Sequence, residues 1–247
     1  MTNRILFGVF LLLCTAAAFA SPDRDPFPDA DTLVAKMLAQ DAQRQTQRRG
    51  YRGMRRYVLE NDHLHKHAEM LVRVGCDAEG TKHFEVVDEQ GWKAAQKHVL
   101  HKMLDSEAEA SSPQTRARTR MSQENYEFRM VSKELLDGRM TYAVDIIPKR
   151  HEERLFKGRI WIDAEDLALV RAEGKPAKNP SFWTRSVHFV HTYRKSGPFW
   201  FPASTESVTE VRIFGTTSLT ITYFDYTPSP VEASEAASVV PQGAITE

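Results

Sequence analysis

The stretch Phe156-Lys-Gly-Arg-Ile-Trp-Ile-Asp163 has the two-residue alternation that is typical of a β-strand. Successive side chains of a strand point to opposite faces of the sheet. One face would carry Phe156, Gly158, Ile160 and Ile162, and the other face Lys157, Arg159, Trp161 and Asp163. The apolar face needs a cover, and the pattern fits a packed core as well as the wall of a cavity.

Strand-like segments continue on both sides of this stretch, with short turns between them. Segments 126–131 and 140–147 flank Asp137-Gly138, whose sequence is a strong hairpin signal. The other predicted strands are 51–60, 68–74, 82–87, 167–174, 185–194, 199–201, 204–214 and 217–226. Strands joined by local turns predict a meandering antiparallel sheet rather than a parallel βαβ fold.

Two segments have helical periodicity instead. The first runs from an N-cap at Asp31-Thr32 to about Arg48, with Gly50 as its stop, and the second covers 92–106. Segment 107–122 is polar and is predicted to be a loop. About ten strands in one sheet must curl, because twist accumulates from strand to strand. We therefore predict an α+β fold, a strongly curved antiparallel sheet covered by two helices around an apolar interior.

The N-terminus has the features of a secretory signal peptide. A short basic region is followed by an apolar run and then by Ala18-Phe19-Ala20, a cleavage site of small residues. We expect residues 1–20 to be removed after Ala20 and the protein to be exported to the periplasm. Lipid attachment at Cys14 is not expected, because a large residue, Leu13, precedes it. The predicted organisation is a tether at 21–31, one domain at 32–226 and a disordered tail at 227–247.

Composition excludes some partners. The chain has 33 basic and 33 acidic residues, so no global field attracts it to nucleic acid. Cys76 would be the single cysteine of the processed chain, which leaves no intrachain disulfide, and we expect a half-buried thiol at a strand end.

Several motifs of the second half occur together in one known family. They are Tyr142-Ala-Val-Asp-Ile-Ile-Pro148, the stretch 156–163, Leu169-Val-Arg171, Pro180-Ser-Phe-Trp183 and Gly197-Pro-Phe-Trp-Phe-Pro202. In these motifs the chain resembles the periplasmic lipoprotein-carrier-like family, which includes the outer-membrane lipoprotein-sorting proteins. The resemblance implies an incomplete β-barrel with a helical lid and an apolar interior that accepts acyl chains. A related branch of that family senses stray lipoproteins and restrains an envelope-stress regulator.

Two candidate sites follow from the residues. Strand alternation and the helical apolar stripe predict a cavity face made of Val99, Met103, Tyr142, Val144, Ile146, Ile160 and Ile162. A cavity wall and a core have the same pattern, and for any single one of these residues an ordinary core position is favoured. A basic cluster of Arg48, Arg49, Arg52, Arg55 and Arg56 could contact anionic headgroups or a partner protein, or could simply be solvated.

Metal binding and catalysis are weaker interpretations. His63, His65 and His67 alternate and could bind zinc together with His188 or His191, but they fall at a predicted hairpin turn where histidines are commonly solvated. The sequence contains no nucleophile elbow, phosphate loop or His-Glu-x-x-His motif. We expect neither a cofactor nor enzymatic activity.

The leading functional hypothesis is a non-enzymatic carrier that shields acyl chains of a lipoprotein or lipid in transit to the outer membrane. Such a carrier would also meet a membrane-bound donor or acceptor protein. The alternative is an envelope sensor that binds the same ligands and regulates a protein partner.

Overall fold

The computed structural model describes residues 27–228, which form an α+β fold built on one antiparallel sheet. The ten strands curve into a barrel that does not close, and helices cover parts of the inner face, so the predicted fold class is confirmed. No helix of this part of the chain is long and apolar enough to cross a membrane. The predicted signal peptide, its cleavage site and the tail from residue 229 lie outside the described residues.

The strands lie in a continuous meander along most of the chain. Their bounds are β1 Tyr51–Asn61, β2 Lys66–Cys76, β3 Lys82–Gly91, β4 Tyr126–Leu136, β5 Arg139–Pro148, β6 Phe156–Asp163, β7 Leu169–Pro176, β8 Thr184–Ser196, β9 Phe199–Val211 and β10 Gly215–Pro228. The prediction of two short strands at 199–201 and 204–214 was wrong. The pairing with β8 continues through Pro202, which faces Tyr193 where the register shifts, and a proline is tolerated at such an irregularity.

The order across the sheet is β3-β2-β1-β10-β9-β8-β7-β6-β5-β4. Every strand except β1 and β10 pairs only with its sequence neighbours. β1 and β10 pair with each other at long range, so that Tyr51 faces Pro228 and Asn61 faces Thr217. Strands β3 and β4 are the two edges, and the middle of the sheet consists of β1 and β7 to β10.

Helix α1, Ala30–Arg48, begins two residues earlier than predicted. The cap is Asp29 rather than Asp31, because Oδ2 of Asp29 accepts hydrogen bonds from N of Thr32 at 2.9 Å and from its Oγ1 at 2.8 Å. At the other end Arg49 adopts a left-handed conformation with φ of 51°, and Gly50 follows it as predicted.

Residues 93–110 form a second helix, α2, which contains a π-helical segment. The chain is α-helical at Lys93–Ala95, π-helical at Gln96–Leu100 and α-helical again at His101–Ala110. A third helix, α3, covers Pro113–Thr119, so the predicted loop at 107–122 was wrong. Its start signal is Ser112 as N-cap followed by proline at the first helical position.

The helices cover different parts of the sheet and produce separate cores. Helix α1 packs on the β4 to β7 side, where Leu33, Val34 and Met37 are buried against the strands. Helix α2 packs on β1, β2 and β10 through Ala95, Leu100 and Leu104. The inner face of the middle strands is left between these two helix-covered parts.

Candidate functional site

A cavity of about 740 Å³ lies between α2 and the inner face of β1 and β8 to β10. Helix α2 forms one wall, the strands form the other, and the segment that follows β7 contributes Pro176 and Pro180 at one end. The lining residues are Leu59, Asn61, Trp92, Ala94, Ala95, His98, Val99, Met103, Pro176, Pro180, Val187, Phe189, Thr205, Ser207, Thr209, Val211, Phe214, Thr217 and Leu219.

The walls of this cavity are mostly apolar. None of the lining residues is an aspartate, glutamate, lysine or arginine, and the polar side chains are four serine and threonine hydroxyls on β9 and β10 with Asn61, His98 and Trp92. An apolar cavity of this size is within the usual range of small-molecule pockets, roughly 300–1,000 Å³. An occupant would be held by burial of apolar surface, and nothing in the wall would compensate a buried charge.

The helical wall of the cavity includes the π-helical segment, and the start of this segment is attached to the end of β3. Gly91 has a φ of 86° and turns the chain out of β3, and Nε2 of Gln96 donates a hydrogen bond to O of Gln90 at 2.7 Å. The π-helical turn then carries His98 and Val99 to the cavity, with Val99 left 40% exposed. Single π-helical turns are rare and are frequently found at functional sites.

The predicted cavity face is divided between two places. Val99 and Met103 line the cavity, but the five predicted strand residues, Tyr142, Val144, Ile146, Ile160 and Ile162, belong to the core beneath α1. Ile160 and Ile162 are fully buried there, against Leu33, Val34 and Met37 of the helix. These strand residues do not face the cavity because α1 covers β5 and β6, which makes the apolar face of the two strands a packed core.

The cavity wall on β8 and β9 was missed. Val187, Phe189 and His191 alternate along β8 and point inward, and Thr205 and Ser207 do the same on β9. The alternation of Val187 and Phe189 is visible in the sequence and could have been used to find this wall. The hydroxyl residues give no such signal, because serine and threonine occur on either face of a strand.

The predicted arginine surface is not a single surface, and Arg55 is buried. Tyr51, Arg55 and Tyr57 share the inner face of β1, where Arg55 is 1% exposed. Its guanidinium binds Glu107 of α2 with two hydrogen bonds, Nη1 to Oε2 at 2.7 Å and Nη2 to Oε1 at 3.2 Å. The prediction that Arg55 faces solvent was wrong, because the strand alternation places it with Tyr57 and Leu59.

The other four arginines lie in different environments. The guanidinium of Arg48 stacks over the ring of Tyr51 at 4.6 Å and is partly buried. Arg56, on the outer face of β1, donates to both carboxylate oxygens of Glu69. Arg49 and Arg52 are exposed.

A polar layer joins the inner face of β1 to α2 and β3. Lys82 Nζ lies 2.7 Å from Oε1 of Glu107, so this carboxylate binds both Lys82 and Arg55. Burial opposes ionisation of Glu107, but the two positive charges and their hydrogen bonds prevail and lower its pKa to about 2. Two tyrosines complete the layer, because Arg55 also donates to the hydroxyl oxygens of Tyr57 and Tyr226.

His191 is next to this layer and is held neutral. Its Nδ1 lies 2.6 Å from Oγ1 of Thr205, which is also 2.8 Å from the hydroxyl of Tyr223. Burial lowers the pKa of His191 to about 4; the negative charge of Glu107 opposes this shift, and the positive charges of Lys82 and Arg55 add to it. A histidine in this state is a hydrogen-bonding group of the interior at neutral pH.

The other polar residues singled out in the sequence have ordinary surroundings. His63 and His65 lie in the turn between β1 and β2, and His67 follows in β2 next to Glu60 and Glu69. Within residues 27–228, no three His, Cys, Asp or Glu side chains are grouped so as to hold a metal ion. Cys76 is the last residue of β2 and is buried, with its Sγ 3.7 Å from O of Asp77.

Comparisons with known proteins give matches at the level of structure. No family model matches the chain, and no curated protein matches its sequence. One similar structure is a domain from Vibrio parahaemolyticus described as an outer membrane lipoprotein-sorting protein, with 10% identity, a TM-score of 0.43, and coverage of 83% of this chain and 94% of that one. A LolA superfamily protein from Nitrosomonas europaea is also 10% identical, with a TM-score of 0.38 and coverage of 80% and 94%.

A chain of the Pseudomonas aeruginosa MucA/MucB complex is 9% identical, with a TM-score of 0.26 and coverage of 80% of this chain and 99% of that one. The names of the first two structures are those of the lipoprotein-sorting family that the sequence motifs resemble. At these identities and TM-scores none of the three structures assigns a function, so a function has to follow from the residues of this chain.

Proposed function

We propose that the protein is a non-enzymatic periplasmic binding protein that shields acyl chains of a lipoprotein or lipid in transit to the outer membrane. The observation that carries this proposal is the apolar cavity between α2 and strands β1 and β8 to β10. A chain of methylene groups suits a wall without charges, since each buried methylene contributes about 0.8 kcal/mol.

The position of the cavity also fits a carrier. The acyl chain would lie against the inner face of the sheet, with α2 above it. Export of the protein rests on the signal features of residues 1–20.

A sensor that regulates a protein partner would use the same cavity. Its partner surface was predicted at the arginine cluster, but Arg55 is buried, Arg48 is stacked on Tyr51, and Arg56 is paired with Glu69. The described residues therefore offer no continuous basic surface at this place, and we favour the carrier.

Filling the cavity tests the proposal. Ser207 lines the cavity, whereas its neighbour Val208 is exposed on the opposite face of β9. Ser207→Trp should occupy the space of the acyl chain, and Val208→Trp adds the same side chain outside it. We expect at least an approximately tenfold weaker binding of a fluorescent fatty acid for Ser207→Trp and no change for Val208→Trp, a tenfold change being about 1.4 kcal/mol.

Two outcomes of these measurements would contradict the proposal. If the parent protein binds no fatty-acid probe and no diacylated lipopeptide, the proposed function is wrong. If Ser207→Trp is folded by circular dichroism and binds the probe like the parent, acyl chains do not occupy this cavity. Native mass spectrometry of the protein purified from an envelope extract would show which acyl species it carries.

A further inference from the structure

Four large apolar side chains are exposed together at one end of the barrel. Phe182 and Trp183 lie in the loop between β7 and β8 and are 76% and 53% exposed, and Ile213 and Phe214 lie in the turn between β9 and β10 and are 59% and 50% exposed. Scattered apolar residues are normal on a protein surface, but a cluster of large ones usually marks an interaction site.

The two loops are joined through Arg212. Its backbone N donates to O of Trp183 at 2.9 Å, and its Nε donates to O of Phe182 at 3.1 Å. The guanidinium also lies over the ring of Phe182, 5.0 Å from its centroid, and the rings of Phe182 and Trp183 meet edge to face at 5.6 Å. The exposed side chains therefore stand on one connected platform.

The loop of Phe182 is itself folded. Asn179 Nδ2 donates to O of Thr184 and to O of Arg185, both at 3.1 Å, and Oγ of Ser181 lies 2.9 Å from Oγ1 of Thr184. These bonds hold the loop in a shape that directs its aromatic residues to solvent, so their exposure does not result from a loose segment.

Positive charge accompanies the exposed apolar groups. Arg185 and Arg212 form no ion pair with any residue in the 27–228 range, and Lys93 and Lys97 are exposed on the neighbouring first turns of α2. Two acids are also near: Glu210 is exposed on the outer face of β9, and Asp62 is bonded through its backbone N to O of Thr216 in the β9–β10 hairpin. Aromatic residues with adjacent arginine or lysine are the composition that favours the interface of an anionic bilayer.

This platform adjoins the cavity. Phe214 and Pro180 line the cavity and belong to the same turn and loop as Ile213 and Phe182. We propose that Phe182, Trp183, Ile213 and Phe214, together with Arg185 and Arg212, form a docking surface for an anionic phospholipid bilayer. The inference goes beyond the proposed function, since the surface would bind a membrane whether the cavity is empty or filled.

The test compares two double variants of the full chain, so that the terminal residues are the same in every sample. Phe182→Ser with Trp183→Ser removes two aromatic groups from the platform. Leu135→Ser with Met140→Ser removes two exposed apolar groups from the β4–β5 hairpin and serves as the control. Co-sedimentation is measured with vesicles of phosphatidylglycerol and phosphatidylcholine, and with vesicles of phosphatidylcholine alone.

We expect the parent and the control to bind the anionic vesicles alike, and the platform variant to bind them on the order of tenfold more weakly. Arg185→Glu, which leaves the aromatic groups in place, should weaken binding to the anionic vesicles by a similar factor and leave binding to neutral ones unchanged. All variants should still bind the fatty-acid probe, which separates this inference from the proposed function.

Equal vesicle binding by the parent and the platform variant would overturn the inference, as would a parent that binds no anionic vesicles. A concentration-dependent dimer that disappears in the platform variant would overturn it as well, because the platform would then belong to a second copy of the chain.

Discussion

The guanidinium of Arg55 and the carboxylate of Glu107 form a two-hydrogen-bond ion pair that joins the inner face of β1 to helix α2. Arg55 is almost completely buried, whereas Glu107 keeps 32% of its side chain exposed and also binds Lys82. A buried charge is costly without its partner, so the position of α2 over the sheet depends on this contact.

Glu107→Gln is expected to destabilise the protein strongly, because it leaves Arg55 and Lys82 without a compensating charge. The loss in free energy of unfolding should be about 3 kcal/mol. Glu109→Gln is the matched control on the same helix, where an exposed pair with Arg154 is worth no more than about 1 kcal/mol. Urea unfolding of both variants at neutral pH measures the difference, and equal midpoints would contradict the structural role given to Glu107.

His191 should make the stability depend on pH in a defined window. Its folded pKa of about 4 is below the ordinary value of 6.5, so the unfolded chain takes up the proton first as the pH falls. The contribution of His191 is complete above pH 6.5 and is lost progressively towards pH 4. His191→Gln should flatten this part of the pH profile of the unfolding free energy, and His83→Gln, at an exposed histidine, should not. A parent profile that is flat across this window would rule out a buried neutral His191.

The core beneath α1 and the cavity wall should respond differently to a polar side chain. Ile160→Asn places an amide where no water or partner is available and should destabilise the fold by about 3 kcal/mol or more. Val99→Asn should change the unfolding free energy by less than about 1 kcal/mol, because Val99 is partly exposed at the cavity. Thermal unfolding of both variants distinguishes the two environments. Similar losses at the two positions would mean that Val99 is packed as a core residue.

Strands β6 and β7 approach closely where Gly158 faces Gly174. A Cβ atom on Gly158 would lie 1.9 Å from O of Glu173, so Gly158→Ala must force the strands apart. We expect a loss of about 2 kcal/mol or more in the free energy of unfolding. Gly75→Ala is the control, since a Cβ there meets open space and should change stability by no more than about 0.5 kcal/mol. A harmless Gly158→Ala would show that the sheet can relax at this point.

Local features of the fold could be predicted from the sequence, because their signals are local. The alternation of 156–163 gives the bounds of β6, and Asp137-Gly138 marks the β4–β5 turn, where both residues adopt positive φ. The helix that covers a given strand is not encoded in this way. For that reason the apolar face of β5 and β6 was assigned to a cavity, although α1 packs on it.

For Arg55, too, the local pattern predicts the direction of the side chain but not its distant partner. Alternation along β1 places Arg55 on the face of Tyr57, so its inward direction was available from the sequence. Its partner Glu107 is 52 residues away, in a segment that was predicted to be a loop. An arginine without a visible partner is more readily assigned to the surface, and this is how Arg55 was misplaced.

The pairing of β1 with β10 has a consequence for the order in which the chain can fold. β1 stands near the start of the described chain and β10 at its end, so the middle of the sheet closes only when the last strand is available. Contacts between distant segments form slowly, and unpaired strand edges invite aggregation in the meantime. A chain shortened before β10 would leave β1 and β9 as unpaired edges in addition to β3 and β4, and the cavity walls contributed by β1 and β9 would no longer be held side by side. Formation of the cavity therefore has to wait until synthesis of β10 is complete.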